Sequence, residues 1–92
     1  MTAYNLINGV RASENVELIA GILRDEWGYR GLVTTDWNNT ASETTEVLAG
    51  NDIRMPSTTK MDLAEGLANN LITRDDIAAC VKRLLEMILW IE

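Results

Sequence analysis

Three short stretches that read as strands, each followed at once by a segment of helical periodicity, constrain this chain more than any other feature. The stretches are residues 1–5 (MTAYN), 31–37 (GLVTTDW) and 51–56 (NDIRMP). After the first, Asn8-Gly9 marks a turn, and Val16, Ile19, Ala20, Leu23 and Trp27 recur at helical spacing over residues 13–27. Gly28 stands where a left-handed C-cap belongs. After the second, the polar loop NNTAS leads into a short helix over residues 42–49 that stops at Gly50. The third is closed by the only proline, Pro56. Beyond it, Met61, Leu63, Ala64, Leu67 and Leu71 line one helical face, interrupted by Gly66 and by Asn69 and Asn70. Thr73 with Asp76 three residues on opens a last helix to about residue 90, with Ile72 and Ile77 at the positions of a hydrophobic staple.

A β-α-β-α-β-α order with such short connections implies parallel strands joined by right-handed crossovers. Three strands cannot close a barrel, and their sheet would have two bare edges. The expected fold class is therefore α/β: three consecutive β/α units with parallel strands, a slice of a larger fold. The segment LLEMILWI is apolar on nearly every side, which calls for burial against something else.

Composition narrows the function. With 47% apolar and 24% charged residues among 92, the chain is globular and forms one small domain or a piece of a larger one. A net charge of -6 argues against nucleic acid and against an anionic membrane surface. The longest apolar run, residues 87–91, is too short to span a bilayer, and residues 1–10 lack the pattern of a signal peptide, so the compartment stays open. The absence of histidine excludes His-based triads and most zinc sites within this chain. The single cysteine, Cys80, reads as a small buried residue on a helix.

In parallel α/β folds, reactive groups gather at the carboxyl ends of strands. Asp36 is the one carboxylate at the last residue of an expected strand, and Trp37 follows it as an apolar or sugar-stacking wall. Position alone leaves three roles open: a helix cap or Asx turn, which strand-end geometry favours, a catalytic group, or a metal ligand. Asn38 and Thr40 compete with it as caps. Tyr4 is a second candidate, against the plainer reading of an ordinary strand aromatic. Asp52 reads as a cap or a loop brace, and Glu14, Glu17, Asp25, Glu26, Asp75, Asp76 and Glu86 as solvated helix-face acids. Neither Gly28-Tyr29-Arg30-Gly31 nor Ala49-Gly50 forms a phosphate loop.

Taken in order, these motifs resemble the back half of the catalytic barrel of glycoside hydrolase family 3, the β-glucosidase and β-xylosidase family. The resemblance rests on Tyr4, Asn5, Asn8 and Gly9; on Leu23, Arg24, Glu26, Trp27, Gly28, Tyr29 and Gly31; on Val33, Thr35, Asp36 and Trp37; and on Ala49, Gly50, Asp52, Met55 and Pro56. Residues 73–90 resemble the helix that closes the barrel domain. Thr35 stands where serine is usual, and the chain departs from the usual pattern at Asn38, Arg54 and Ser57.

The resemblance implies that residues 1–92 are a partial barrel domain, the last three β/α units of a TIM-type (β/α)8 barrel with the nucleophile strand at 31–37. It implies a retaining β-glycosidase acting on a β-linked glucoside or related oligosaccharide, without cofactor or metal. Asp36 matches the nucleophile, Trp37 the aromatic beside it, Tyr4 the tyrosine near the sugar ring, and Met1 a pocket-lining position. The other half of the barrel and the domain bearing the acid/base are missing partners, so the isolated chain is expected to be inactive. The rival expectation is a non-catalytic module that pairs its open edges and apolar last helix with a partner chain or, as a homo-oligomer, with itself.

Overall fold

The first regular structure is a hairpin in which β1 (Leu6–Ile7) runs antiparallel to β2 (Val10–Arg11), with Ile7 opposite Val10. The computed structural model describes residues 1–91, and Glu92 lies outside the described residues. Asn8 and Gly9 have φ of 50° and 82°, the signature of a type I′ turn, whose twist matches the strands it joins. The sequence marks the turn but not the paired strands beside it.

Where one α-helix is expected over residues 13–27, the chain forms a 3-10 turn, Ala12–Glu14, and then a π-helix, Glu17–Glu26. Asn15 separates them, and its side chain accepts the Leu18 N–H, otherwise unpartnered among the described residues, at 3.1 Å, while its carbonyl accepts the Ile19 N–H at 3.0 Å. The wide i→i+5 winding persists to the end, where the Trp27 N–H donates to the Ile22 carbonyl at 2.9 Å. Ile19 from this helix packs with Val33 and Ala49 as the buried cluster, with Leu23 beside it. Gly28 has φ 68°, the left-handed stop that the sequence marks.

The strand predicted over residues 31–37 is the main correction. Thr34 and Thr35 alone make sheet contacts, as isolated parallel bridges from Thr35 to Thr2 and from Thr34 to Ile53. The strands expected at residues 1–5 and 51–56 likewise shrink to those bridges. Side chains have taken bonds that a ladder would use: the Val33 N–H goes to the Asp52 carboxylate, and the Met55 N–H goes to the Thr35 hydroxyl. Among the described residues, the antiparallel hairpin is thus the regular sheet, rather than three regular parallel β/α units.

The helices lie closer to expectation. Helix α1 (Glu43–Ala49) starts at Ser42, whose side chain accepts the Thr45 N–H, and ends at Gly50 with φ 114°. A Cβ at Gly50 would come within 3.0 Å of Ile19 Cγ2, so glycine also permits the close approach of α1 to the π-helix. Helix α2 (Leu63–Ala68) is shorter than the face over 61–71 predicts, because Asp62 turns its carboxylate to α1 instead of capping α2. Asp62 accepts from Ser42 Oγ at 2.6 Å, from the Thr44 N–H at 2.8 Å and from Thr44 Oγ1 at 2.8 Å.

Helix α3 (Arg74–Trp90) begins with both arms of a capping box: Thr73 N–H to Asp76 Oδ2 at 2.9 Å and Asp76 N–H to Thr73 Oγ1 at 3.2 Å. Ile72 is buried beside Gly66 and Thr44, which ties the start of α3 to α2 and α1. Cys80 is buried on α3, its thiol donating to the Asn51 carbonyl at 3.3 Å. The C-terminal half of α3 leaves Leu85, Ile88, Leu89 and Trp90 exposed.

Two stability effects follow. Thr73→Ala removes the cap of α3 and lowers unfolding free energy by about 1 kcal/mol, read from the urea midpoint. The Ser42 hydroxyl foremost, with Thr44, holds Asp62 below its ordinary value of 3.8 against the opposing effect of burial. Its contribution is therefore present above the ordinary value and is lost as pH falls through the lower folded value. Asp62→Asn flattens the acid limb of the melting-temperature profile below about pH 4, a slope that Asp76, lowered by its Thr73 bonds, retains in part.

Candidate active site

Asp36 directly follows the two bridged residues. The Thr34 carbonyl accepts the Thr2 N–H at 2.8 Å, and the Thr35 N–H donates to the Ile53 carbonyl at 3.0 Å. Thr35 is 0% exposed, and its Oγ1 accepts the Met55 N–H at 3.0 Å. The chain is thus clamped from both sides up to residue 35, and Asp36 is the half-buried residue released at its end. Its Oδ1 accepts the Trp37 N–H at 2.7 Å, which leaves Oδ2 without a protein hydrogen bond among the described residues.

Two of the plainer roles for Asp36 are not realised. Ser42 caps α1, so neither Asp36, Asn38 nor Thr40 does. An Asx turn would have Asp36 accept the Asn38 N–H, but that group donates to the Pro56 carbonyl at 3.0 Å, and Asn38 turns the chain with φ 54°. Among the described residues Asp36 belongs to no group of three or more His, Cys, Asp or Glu side chains.

The Thr2–Thr35 bridge brings the start of the chain beside the Asp36 segment. Beyond the bridge, Ala3, Tyr4 and Asp36 are in no strand, and Trp37 stands in a turn. Met1 directly precedes Thr2, whose N–H bonds the Thr34 carbonyl. All three accessory candidates are open, at 50% exposure for Tyr4, 58% for Trp37 and 81% for Met1. The backbone of Tyr4 is tethered, since its carbonyl accepts Arg11 Nη1 at 3.0 Å.

Two polar networks hold this segment, and the candidate list drawn from sequence contains neither. In the first, Asp52, with its side chain 0% exposed, accepts Arg24 Nη2 at 2.7 Å and the Val33 N–H at 3.0 Å on Oδ2, and Arg83 Nε at 2.6 Å on Oδ1. Arg24 also donates to the Gly31 carbonyl at 3.0 Å and the Gly50 carbonyl at 2.9 Å. In the second, Asn39 Nδ2 donates to Ser13 Oγ at 2.8 Å and to Glu46 Oε2 at 2.5 Å. Arg54 donates to the Ala41 carbonyl at 3.0 Å and to Thr59, and pairs with Glu46 at 3.2 Å and Glu43 at 3.6 Å.

The Ser57 hydroxyl donates to the Asn39 carbonyl, so both C-terminal departures from the motif, Arg54 and Ser57, pin the loop that follows Trp37. Burial pushes the Glu46 carboxyl up, against the pull of Ser13 and Arg54. A cavity of about 210 Å³, lined by Thr35, Glu46, Asp52, Arg54 and Cys80 among others, lies on the Thr35 side of the segment. The signal for these networks is a set of charged residues, Arg24, Asp52 and Arg83, that three separate segments bring to one point.

The arrangement presents a carboxylate with one uncommitted oxygen on a backbone held from both sides. That is what a nucleophile or an electrostatic stabiliser needs, because its position must be set by the scaffold.

Comparison with known proteins gives the family of the chain. The sequence model described as "Glycosyl hydrolase family 3 N terminal domain" matches residues 1–87. A probable beta-glucosidase I of Aspergillus niger is 39% identical over 100% of this chain and 12% of its own length. Beta-glucosidase A of Butyrivibrio fibrisolvens is 45% identical over 80% of this chain and 9% of its own. The solved beta-glucosidase of Kluyveromyces marxianus in complex with glucose superposes with a TM-score of 0.81 at 33% identity, covering 92% of this chain and 11% of that one. That of Paenibacillus barengoltzii gives a TM-score of 0.84 at 29% identity, covering 94% of this chain and 11% of that one. The chain spans about a tenth of the length of these relatives. With the match running from residue 1 to residue 87, this chain belongs to glycosyl hydrolase family 3 and corresponds to part of its N-terminal domain.

Proposed function

We propose that the chain is the part of a retaining β-glucosidase-type hydrolase that carries the nucleophile, Asp36, within the last three β/α units of a (β/α)8 barrel. The observation that carries this reading is the uncommitted Oδ2 of Asp36 at the end of a segment clamped on both sides. In the reaction, an Asp36 oxygen attacks the anomeric carbon of a β-linked glucoside as the bond to the leaving-group oxygen breaks. A carboxylic acid outside this chain gives that oxygen its proton. The same group then takes a proton from water, which displaces Asp36 and frees the sugar. Trp37, next to Asp36 in the chain, and Tyr4, two residues after the Thr2–Thr35 bridge, supply the aromatic surface beside the ring, and Met1 lines the pocket. Retention requires the two carboxyls to stand about 5 Å apart, a distance that only the remaining barrel and the acid/base domain can set.

The chain alone therefore shows no measurable release of chromophore from an aryl β-glucoside. Turnover by the purified chain that disappears in Asp36→Asn overturns the fragment reading. Placed in the full-length frame of the Butyrivibrio relative, in exchange for the matching segment, the chain supports hydrolysis. There, Asp36→Asn lowers kcat by about three orders of magnitude or more, as loss of a covalent nucleophile does. An active Asp36→Asn graft removes Asp36 from the role.

A second reading, a non-catalytic module that self-associates, is favoured by one observation: Val81, Leu85, Ile88, Leu89 and Trp90 lie exposed along α3. Mass in solution tests it. A dimer or larger supports self-association, and a monodisperse monomer counts against it.

A further inference from the structure

We propose that Asp52 is a positioning residue for the Asp36 carboxylate, acting through the backbone of Val33. This rests on the reading of Asp36 as nucleophile. Asp52 holds both polar groups of Val33: its carboxylate accepts the Val33 N–H at 3.0 Å, and its own N–H donates to the Val33 carbonyl at 2.7 Å. Val33 is buried and stands three residues before Asp36. The Asp52 carboxylate is itself fixed, fully buried between Arg24 at 2.7 Å and Arg83 at 2.6 Å, which come from two different helices. Arg24 extends the same cluster to the carbonyls of Gly31 and Gly50. The residues that lead into Asp36 are therefore tied to one ion cluster at Gly31 and Val33. Nothing in this geometry requires Asp52 to touch the sugar, so its effect is on the place of Asp36 and not on the chemistry.

The charge state and symmetry of a carboxylate are both needed. Three donors face its two oxygens: Arg24 Nη2 and the Val33 N–H on one, Arg83 Nε on the other. An asparagine offers one acceptor and one NH2 group, so either orientation sets N–H against N–H at one of the two positions. A shift of about 1 Å in a reacting group costs on the order of 100-fold in rate.

The test uses two materials. In the 92-residue chain itself, Asp52→Asn speeds amide exchange at Val33 and Thr35 by at least about tenfold, while the capped first turn of α3 keeps its protection. In the full-length graft, a fluorosugar that traps the glycosyl-enzyme reports the attack step alone, with active sites titrated so that unfolded molecules do not count. Asp52→Asn lowers the rate of capture at Asp36 by at least about tenfold, with inhibitor affinity within about threefold. Arg83→Met, which spares the Val33 bond, falls between, and Arg83→Lys restores most of the rate.

Capture per titrated site that is unchanged in Asp52→Asn overturns the proposal and leaves the role of Asp36 standing. Should Asp52→Asn fail to fold, an unchanged capture rate in Arg83→Met overturns it instead. No capture at Asp36 in the unsubstituted graft overturns both readings.

Discussion

A single buried carboxylate, Asp52, sits between two guanidinium groups, and much of the chain is organised around it. Arg24 comes from the π-helix, Arg83 from α3 and Asp52 from the segment that follows α1. These pieces share few apolar contacts, because the buried cluster of Ile19, Val33 and Ala49 is small. An ion pair out of water is stabilising only when its remaining hydrogen-bonding groups are satisfied. Here the Val33 N–H and the carbonyls of Gly31 and Gly50 satisfy most of the set, while Arg24 Nε is buried without a hydrogen-bond partner among the described residues. The core is thin, and polar bonding supplies the specificity that a larger apolar interior supplies elsewhere.

The same economy explains why the parallel segments are bridges and not strands. Side-chain acceptors on Asp52 and Thr35 capture amides that a neighbouring strand would otherwise hold. What is lost in ladder regularity is gained in fixation near Asp36, where the backbone is held on both flanks up to Thr35. The second network, around Asn39, Glu46 and Arg54, does the same for the loop after Trp37. A rigid approach and a rigid exit leave Asp36 as the point where the segment opens to solvent.

Several elements were legible because their cause is local. The capping box at Thr73 and Asp76 requires only two residues and their spacing. The turns at Asn8-Gly9, Gly28 and Gly50 follow from residues that tolerate positive φ. Motif order pointed to the family, and the match over residues 1–87 shows that family. Residues 31–37 form no regular strand, because apolar and β-branched content sets the tendency to be extended and not the presence of a neighbour. Residues 17–26 wind as a π-helix, which apolar periodicity does not separate from an α-helix.

By itself, the sequence determined the order of extended and helical segments, the helix caps, the turns, and a carboxylate between a threonine and a tryptophan that matches a family motif. All of these depend on residues close in the chain, where propensity and hydrogen-bond geometry act without long-range information. Only the tertiary structure decided that Asp36 caps nothing and that Asp52 is shared by Arg24 and Arg83. It also decided that Arg54 and Ser57 brace the loop beyond Trp37. Those facts join residues up to 31 positions apart, and a charge's partner is set by which segments meet in space, not by its neighbours in the chain.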